Sequence, residues 1–322
     1  MVVLATTPAR VRSPADIRTA LLVVNPGARS AARRAARAEG ALRACRVACD
    51  VVHTARAGHA TQLAAAVAAS RSHDAVFALG GDGTVMETLG ALAGSGVPVG
   101  IVPGGTGNLV ARTLGIPLDG ARAVRALLGG ALAEVDLGRV RADGAHGADD
   151  GDARHFAFAA GVGIDARMIE ATPVQWKRRL GVLAYALTAA RAVVEGERFG
   201  VRVTVDDEII ETEVSAVMIV NFGAVLGDLF HFGPGIVHDD GLLDCCLFAP
   251  TSVADAARVM WRLVRREFGE DASLLYRAGR RFRIETDAPR AAQADGELLG
   301  RTPLDVHVVP RAATLLVPRP TA

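Results

Sequence analysis

Lysine is almost missing from this 322-residue chain: Lys177 stands alone, and the other 35 of 36 basic side chains are arginine. A P-loop needs a lysine before Ser/Thr, and a protein kinase needs one in Val-Ala-Ile-Lys. Lys177 lies in Gln175-Trp176-Lys177-Arg178-Arg179 and fits neither pattern, which excludes both nucleotide-binding classes. An excess of either charge is also lacking. With 36 basic against 35 acidic residues, net +1, nothing calls for a nucleic-acid partner. Cysteine is scarce, at four residues, and Cys45-x3-Cys49 and Cys245-Cys246 match neither a zinc ribbon nor a CxxC redox pair. Arg10, Arg12 and Asp16 interrupt any apolar leader, so a reduced, cytoplasmic protein is expected. The longest uncharged stretch, Thr88–Ala111, carries seven glycines and two prolines, too many for a lipid-exposed helix. There is no HExxH pair and no GxSxG elbow, which argues against a zinc hydrolase and an α/β-hydrolase.

What is present is half apolar sequence, at a length typical of two domains. Residues 1–19 read as a loose tail. Short apolar runs then predict buried strands at Ala20–Val24, Val47–His53, Ala75–Leu79 and Val97–Val102. Helices fit Ala31–Ala44 and Ala60–Ser70 between them. Such alternation indicates a parallel sheet covered on both faces. Near Val135 the pattern changes. Val201–Val205 alternates, turns at Asp206-Asp207 and returns through Ile209–Val220, a hairpin with one wet face. Further strands fit His155–Ala160, Leu242–Phe248, Arg281–Thr286, Ala291–Ala294 and Leu304–Val309, with helices around Arg178–Glu195 and Val253–Phe268. The expected fold class is α/β plus β. A Rossmann-like nucleotide-binding domain over 20–135, with 308–322 as its completing segment, precedes an antiparallel β-sandwich over 136–307. The Asp/Gly-rich residues 143–152 lack EF-hand spacing and read as a solvated loop.

Ligands of open parallel sheets bind beyond the carboxyl ends of the strands. Two expected strands end there in glycine-rich turns, Gly80-Gly81-Asp82-Gly83-Thr84 and Gly104-Gly105-Thr106-Gly107-Asn108. Each precedes a helix, the first expected to begin at Met86. Glycine lets backbone approach a ligand closely, and the free N–H groups of a helix start suit phosphate oxygens. One such turn is ordinary turn chemistry; two at neighbouring strands point to a nucleotide phosphate site, with Asp82 placed to hold magnesium or orient water. The second half supplies acids: Asp239, Asp240 and Asp244 around Gly241, and Asp295-Gly296-Glu297. Each Asp-Gly alone marks a hairpin turn equally well. Phosphoryl transfer to a neutral hydroxyl, however, needs magnesium and a proton acceptor, which such carboxylates would provide.

The motifs recur in a fixed order. They are Asn25-Pro26, Thr54-x3-Gly58-His59-Ala60, the two glycine-rich turns, Arg179-Leu180-Gly181 to Tyr185, Asp240-Gly241-Leu242-Leu243-Asp244 and Asp295-Gly296-Glu297. With them the sequence resembles the diacylglycerol kinase catalytic-domain family, most closely its soluble bacterial lipid-kinase members, from Leu22 to Pro318. The Gly-Gly-Asp-Gly-Thr core alone is shared with NAD kinases and phosphofructokinases; the ordered set is far more specific. The resemblance implies ATP held by Asn25, Thr54, Gly80, Gly81, Asp82, Gly83, Thr84, Gly105, Thr106 and Asn108. It implies a structural magnesium at Asp240 with main-chain oxygens of Val237 and Leu242. It makes Glu297 the proton acceptor, with Asp295 beside it, while a second assignment in the wider family gives that role to Asp82. The implied acceptor is diacylglycerol or a related lipid alcohol, with a soluble acceptor such as NAD, or a non-catalytic regulator, as alternatives. Met86 departs from the asparagine common at that position, whereas Glu87 is retained.

Other features are left over. Gly161-Val162-Gly163-Ile164-Asp165-Ala166 matches a GxGxxA dinucleotide fingerprint but falls among antiparallel strands, without an acid at the right distance. Trp176-Lys177-Arg178-Arg179 and the helix with Trp261, Arg262, Arg265 and Arg266 read either as interfacial contacts with anionic lipid or as ordinary amphipathic helices. The expected partners are a lipid substrate met peripherally at the inner membrane surface and ATP; a homodimer is compatible with the sequence. With no lysine nearby, Arg29 and Arg33 are the nearest cations for the phosphates.

Overall fold

The computed structural model describes residues 11–28, 30–143, 153–163, 198–225, 230–269 and 271–319. Arg29, the Trp176–Arg179 cluster, the helix expected around Arg178–Glu195, residues 144–152 and the end of the GxGxxA match lie outside them. The chain divides into two units, Met1–Val135 with Arg311–Ala322, and Asp136–Pro310.

The first unit is a parallel α/β layer structure. Its elements are β1 (Thr19–Val24), α1 (Ala31–Ala44), β2 (Ala48–His53), α2 (His59–Ser70), β3 (Ala75–Gly80), α3 (Asp82–Leu92), β4 (Val99–Pro103), α4 (Leu109–Thr113) and α5 (Gly120–Leu128). The strands pair in parallel in the order β2-β1-β3-β4, and Leu315 near the C-terminus adds a parallel partner to Val99. β3 and β4 are buried at every position, as continuous apolar runs require, while β2 lies at the edge and is partly exposed. Helix α1 covers the sheet with Ala31, Ala35, Ala38, Ala41 and Leu42, a three-to-four-residue spacing that puts small apolar groups on one face. Helix α5 was not expected from the sequence. Arg122 and Arg125 break its apolar run, so only the spacing of Ala123, Val124 and Leu127 and the cap at Asp119, which accepts from the Arg122 N–H, betray it. Helix α3 begins at Asp82 rather than Met86: Gly81 is extended and caps it, so most of the glycine-rich motif is the helix's first turn.

The second unit is an antiparallel β-sandwich. It contains β5 (Ala131–Asp143, from residue 136 on), β6 (Arg154–Phe156), β7 (Ala159–Val162), β8 (Phe199–Val205), β9 (Glu208–Val214), β10 (Ala216–Val220), β11 (Ala224–Val225), β12 (Phe230–His231), β13 (Leu243–Phe248), α6 (Val253–Arg265), β14 (Leu274–Gly279), β15 (Arg281–Thr286), β16 (Ala291–Ala294) and the first part of β17 (Glu297–Val317). One run of strands is β14-β13-β10-β7-β16-β17 and another is β9-β8-β15-β17. β17 serves both, pairing Glu297–Arg301 with β16 and Leu304–His307 with β15. Val201, Val203, Val205, Phe199, Phe282, Ile284, Leu304 and Val306 meet residues of β7, β10 and β13 in one apolar core. The strand expected over His155–Ala160 is broken into β6 and β7, because the amides of residues 157–159 bond to a carboxylate instead of a strand. Among the described residues no helix is long and apolar enough to cross a membrane, and the four cysteines are free.

Candidate active site

Strands β3 and β4 end level, with Gly80 paired to Pro103, so the two glycine-rich turns emerge side by side. The Gly80 carbonyl accepts from the N–H groups of Gly104 (2.7 Å) and Gly105 (3.1 Å), which lashes the second turn to the first. The approach is so close that a Cβ on Gly105 would stand 2.6 Å from Gly81 Cα, backbone against backbone. Asn108, at φ 48°, closes the second turn on itself: its Oδ1 accepts from Gly105 N–H at 2.9 Å and its Nδ2 donates to Gly105 O at 2.8 Å. Asp82 supplies the other tie, its Oδ1 accepting from Leu109 N–H at 2.6 Å. A Cβ on Gly107 would fall 2.7 Å from Asp82 Oδ2, so glycine is needed there to admit the carboxylate. Burial pushes the Asp82 pKa up, against the amides of Leu109, Asn108 and Asp82 itself and the Arg112 guanidinium. Asp82 therefore has a positioning task before any other.

Asn25 braces the first turn from below. Its Nδ2 donates to Thr84 Oγ1 at 3.0 Å, its Oδ1 accepts from Gly27 N–H at 2.9 Å, and its own N–H bonds Leu79 O. Thr54 N–H bonds Val24 O at the end of the neighbouring strand, leaving its half-exposed side chain at the sheet's carboxyl edge; Thr106 is exposed on the second turn. The ladder of α3 starts only with Val85 N–H to Gly81 O, so the amides of residues 82–84 precede it, as an anion site requires. Glu87 proves structural in a way the sequence reading did not foresee. Its Oε1 accepts from Gly58 N–H at 2.9 Å and its Oε2 from Ala60 N–H at 3.1 Å, capping α2 from a different helix. The signal was there: Gly58-His59-Ala60 starts a helix without any Ser, Thr, Asp or Asn of its own.

In the second unit the two Asp-Gly segments differ. The Asp295 carboxylate accepts from three consecutive amides, Ala157, Phe158 and Ala159, all at 2.9 Å, and so pins the break between β6 and β7. Glu297, two residues on, is exposed, with Arg154 Nη1 at 3.3 Å from its Oε2. Asp240 Oδ1 accepts from Leu242 N–H at 2.9 Å, and Asp240 and Val237 are both exposed. Asp244 is half-buried, and burial, then Asp240, push its carboxyl up to about 6. Two residues absent from the sequence reading connect these segments. Buried Asp136 accepts from Gly241 N–H at 2.7 Å through Oδ2, and its carbonyl accepts from Nδ2 of buried Asn221 at 2.8 Å. The same Nδ2 donates to Ala157 O at 2.9 Å, beside the amides held by Asp295. Lone polar residues at the ends of apolar strands were the available signal. Among the described residues no three His, Cys, Asp or Glu side chains converge as a metal site. The donor set at Asp240, a carboxylate with exposed backbone around it, is nonetheless the all-oxygen chemistry that magnesium takes.

Glycine-rich turns lashed together at the ends of adjacent parallel strands, followed along the chain by an antiparallel β-sandwich, define a phosphotransferase of the kinase kind. The comparisons with known proteins sharpen that class. Residues 19–140 match the family model "Diacylglycerol kinase catalytic domain", and residues 159–317 match "YegS C-terminal NAD kinase beta sandwich-like domain". The chain belongs to the bacterial diacylglycerol-kinase type of lipid kinase. It is 27% identical to a diacylglycerol kinase of Bacillus subtilis over 272 residues, 84% of this chain and 86% of that one. It is 30% identical to an uncharacterized protein of Synechocystis sp. over 248 residues, 76% of this chain but 54% of that protein, so it spans about half of that relative. A Bacillus anthracis crystal structure described as a candidate diacylglycerol kinase is similar at TM-score 0.75 and 26% identity, covering 94% of this chain and 97% of that one.

Proposed function

We propose that the protein transfers the γ-phosphoryl group of ATP to a hydroxyl of diacylglycerol or a related lipid alcohol. The observation that carries this reading is the pair of lashed turns, which bring the start of α3 and the Thr106–Gly107 backbone to one sheet edge without a lysine in either turn. Gly80–Thr84, Gly105, Thr106 and Asn108 cradle the phosphates, with Asn25 and Thr54 bordering them. The lipid hydroxyl oxygen bonds to the γ-phosphorus as the bond to the β–γ bridging oxygen breaks, and ADP leaves. The hydroxyl proton goes to Glu297, whose exposed carboxylate is free of the backbone bonds that occupy Asp82 and Asp295. Magnesium, taken up by Asp240 with main-chain oxygens of Val237 and Leu242, would supply rigidity and positive charge to the Asp-Gly segment. The lipid is met peripherally at a membrane surface, and a homodimer is compatible with the reading. Neither residue range 20–135 with 308–322 nor 136–307 is proposed to act alone.

The test is incubation with radiolabelled ATP and magnesium against diacylglycerol in mixed micelles, a total lipid extract and NAD. Label in a lipid product supports the proposal. Label in NAD alone would replace it with a soluble-acceptor kinase, and no label with any acceptor would leave a non-catalytic binding protein.

A further inference from the structure

Helices α1 and α5 pack side by side in the first unit, and an open groove of about 560 Å³ runs between them. Small residues, among them Gly40 and Ala121, form its floor, and Arg37, Arg122 and Arg125 stand along it. Asp119 is the one acid lining the groove, and it is already committed. It accepts from Arg122 N–H as the cap of α5 and from Arg37 Nη1 at 2.8 Å, and the amide, then Arg37 and Arg122, hold its carboxyl below the usual range. Arg122 and Arg125 are exposed, and neither side chain makes a hydrogen bond or ion pair among the described residues. Arg125 also borders a smaller hollow of about 270 Å³ that contains Arg18. None of these residues belongs to the glycine-rich turns or to the Asp-Gly segments.

We propose that the α1–α5 groove binds the phosphate headgroup of an anionic phospholipid and so holds the protein on a negatively charged bilayer. Guanidinium groups pair phosphate oxygens in two-point fashion, and the three along the groove outnumber the single acid, Asp119, that faces Arg37 and Arg122. The groove is shallow and open. A site for a soluble phosphate compound would instead close around it with buried donors, whereas these arginines reach outward, as cations at a membrane surface do.

The proposal shares with the lipid-kinase reading only the membrane, and the two are tested apart. The full chain, without ATP or acceptor, is sedimented with phosphatidylcholine vesicles with and without phosphatidic acid. The wild type is expected to partition onto the phosphatidic acid vesicles. Arg122→Gln/Arg125→Gln is expected to bind about 30-fold more weakly, from about a factor of five per surface cation. Arg122→Lys/Arg125→Lys, which keeps the charge but loses the two-point pairing, should bind between the other two, and circular dichroism should show all three folded. Phosphorylation of acceptor in neutral detergent micelles should be unchanged in the glutamine variant. Equal partition of the wild type and the glutamine variant, or no preference of the wild type for phosphatidic acid, would overturn the proposal. So would calorimetric binding of pyrophosphate that depends on Arg122 and Arg125 without any vesicle binding, since that makes the groove a soluble-phosphate site.

Discussion

The carboxylates of Asp82, Asp295 and Glu297 look alike in the sequence, and their surroundings separate them. Asp295 is saturated by three amides, and Asp82 binds the first amide of α4, so only Glu297 projects without a backbone partner. Glu297→Gln is therefore expected to lower kcat by about 10²- to 10⁴-fold with little change in the KM for ATP, in steady-state assays with the preferred lipid. Asp82→Asn keeps an oxygen for Leu109 N–H and should melt near the wild type. Asp82→Ala leaves that amide unpaired and should cost about 1–3 kcal/mol in urea unfolding. If the alanine and asparagine variants unfold alike, the Asp82 tie is not structural. This division of labour was not legible in the sequence. Asp-Gly spelled a turn at both places, and what distinguishes a brace from a projecting acid is which distant amides reach it. Asp136 and Asn221 were missed for the same reason, since their partners lie between 64 and 105 residues away.

The positions of elements were legible because periodicity is local, whereas the distant partners of the site residues were not. Helix α1 has the bounds its alanine spacing implies, and β15 and β16 fall where alternation and turns place them. Errors cluster where a tertiary partner replaces a local signal. The N-terminus of α2 has its cap on α3, so Glu87→Ala should destabilise by about 1–2 kcal/mol, the range of a lost N-cap. It should also raise the KM for ATP, because Gly58 and Thr54 border the same strand end. An unchanged KM together with reduced stability would confine Glu87 to folding. Helix α6 is anchored differently. Asp255 accepts from the Ser273 hydroxyl at 2.7 Å, from Arg258 and from Thr251 N–H, and these bonds outweigh burial to hold its carboxyl down to about 2. A carboxylate depressed in the folded state stabilises above its unfolded pKa of about 3.9 and loses that contribution as pH falls through the folded value. Asp255→Asn should thus lower the melting temperature at pH 5–7, and the gap from wild type should close as pH falls from about 4 to about 2. A gap that persists at the acid end would mean the carboxylate charge is not what matters.

At the scale of the whole molecule, the chain leaves the first unit at Val135 and returns to it at Arg311. The return is made by β17, which runs 21 residues through Pro303 and Pro310 although only Leu304–Val309 read as strand. Prolines normally end strands, since they cannot donate to a ladder; here the strand passes them by changing partners, from β16 to β15 and then to β4. The returning segment is integral to the first unit's core. Ala312, Ala313, Leu315 and Leu316 are buried, Gly94 N–H bonds Ala312 O at 2.7 Å, and Leu315 pairs with Val99. A fragment ending at Val135 would therefore expose the edge of β4 and a hydrophobic strip that four buried side chains normally cover. Two of the four, Leu315 and Leu316, are large aliphatic groups, and at about 1.5–3 kcal/mol each their loss is about 3–6 kcal/mol, comparable to the stability of a marginal small domain. Residues 11–135 alone are expected to be insoluble or molten, with no cooperative thermal transition. The same fragment with residues 311–319 joined through a flexible linker is expected to fold and to bind a fluorescent ATP analogue. Cooperative unfolding of the shorter fragment would show that the segment is an ornament on the sheet rather than part of it. Failure of the joined fragment, with the shorter one also unfolded, would show that the first unit needs more of the chain than these two stretches.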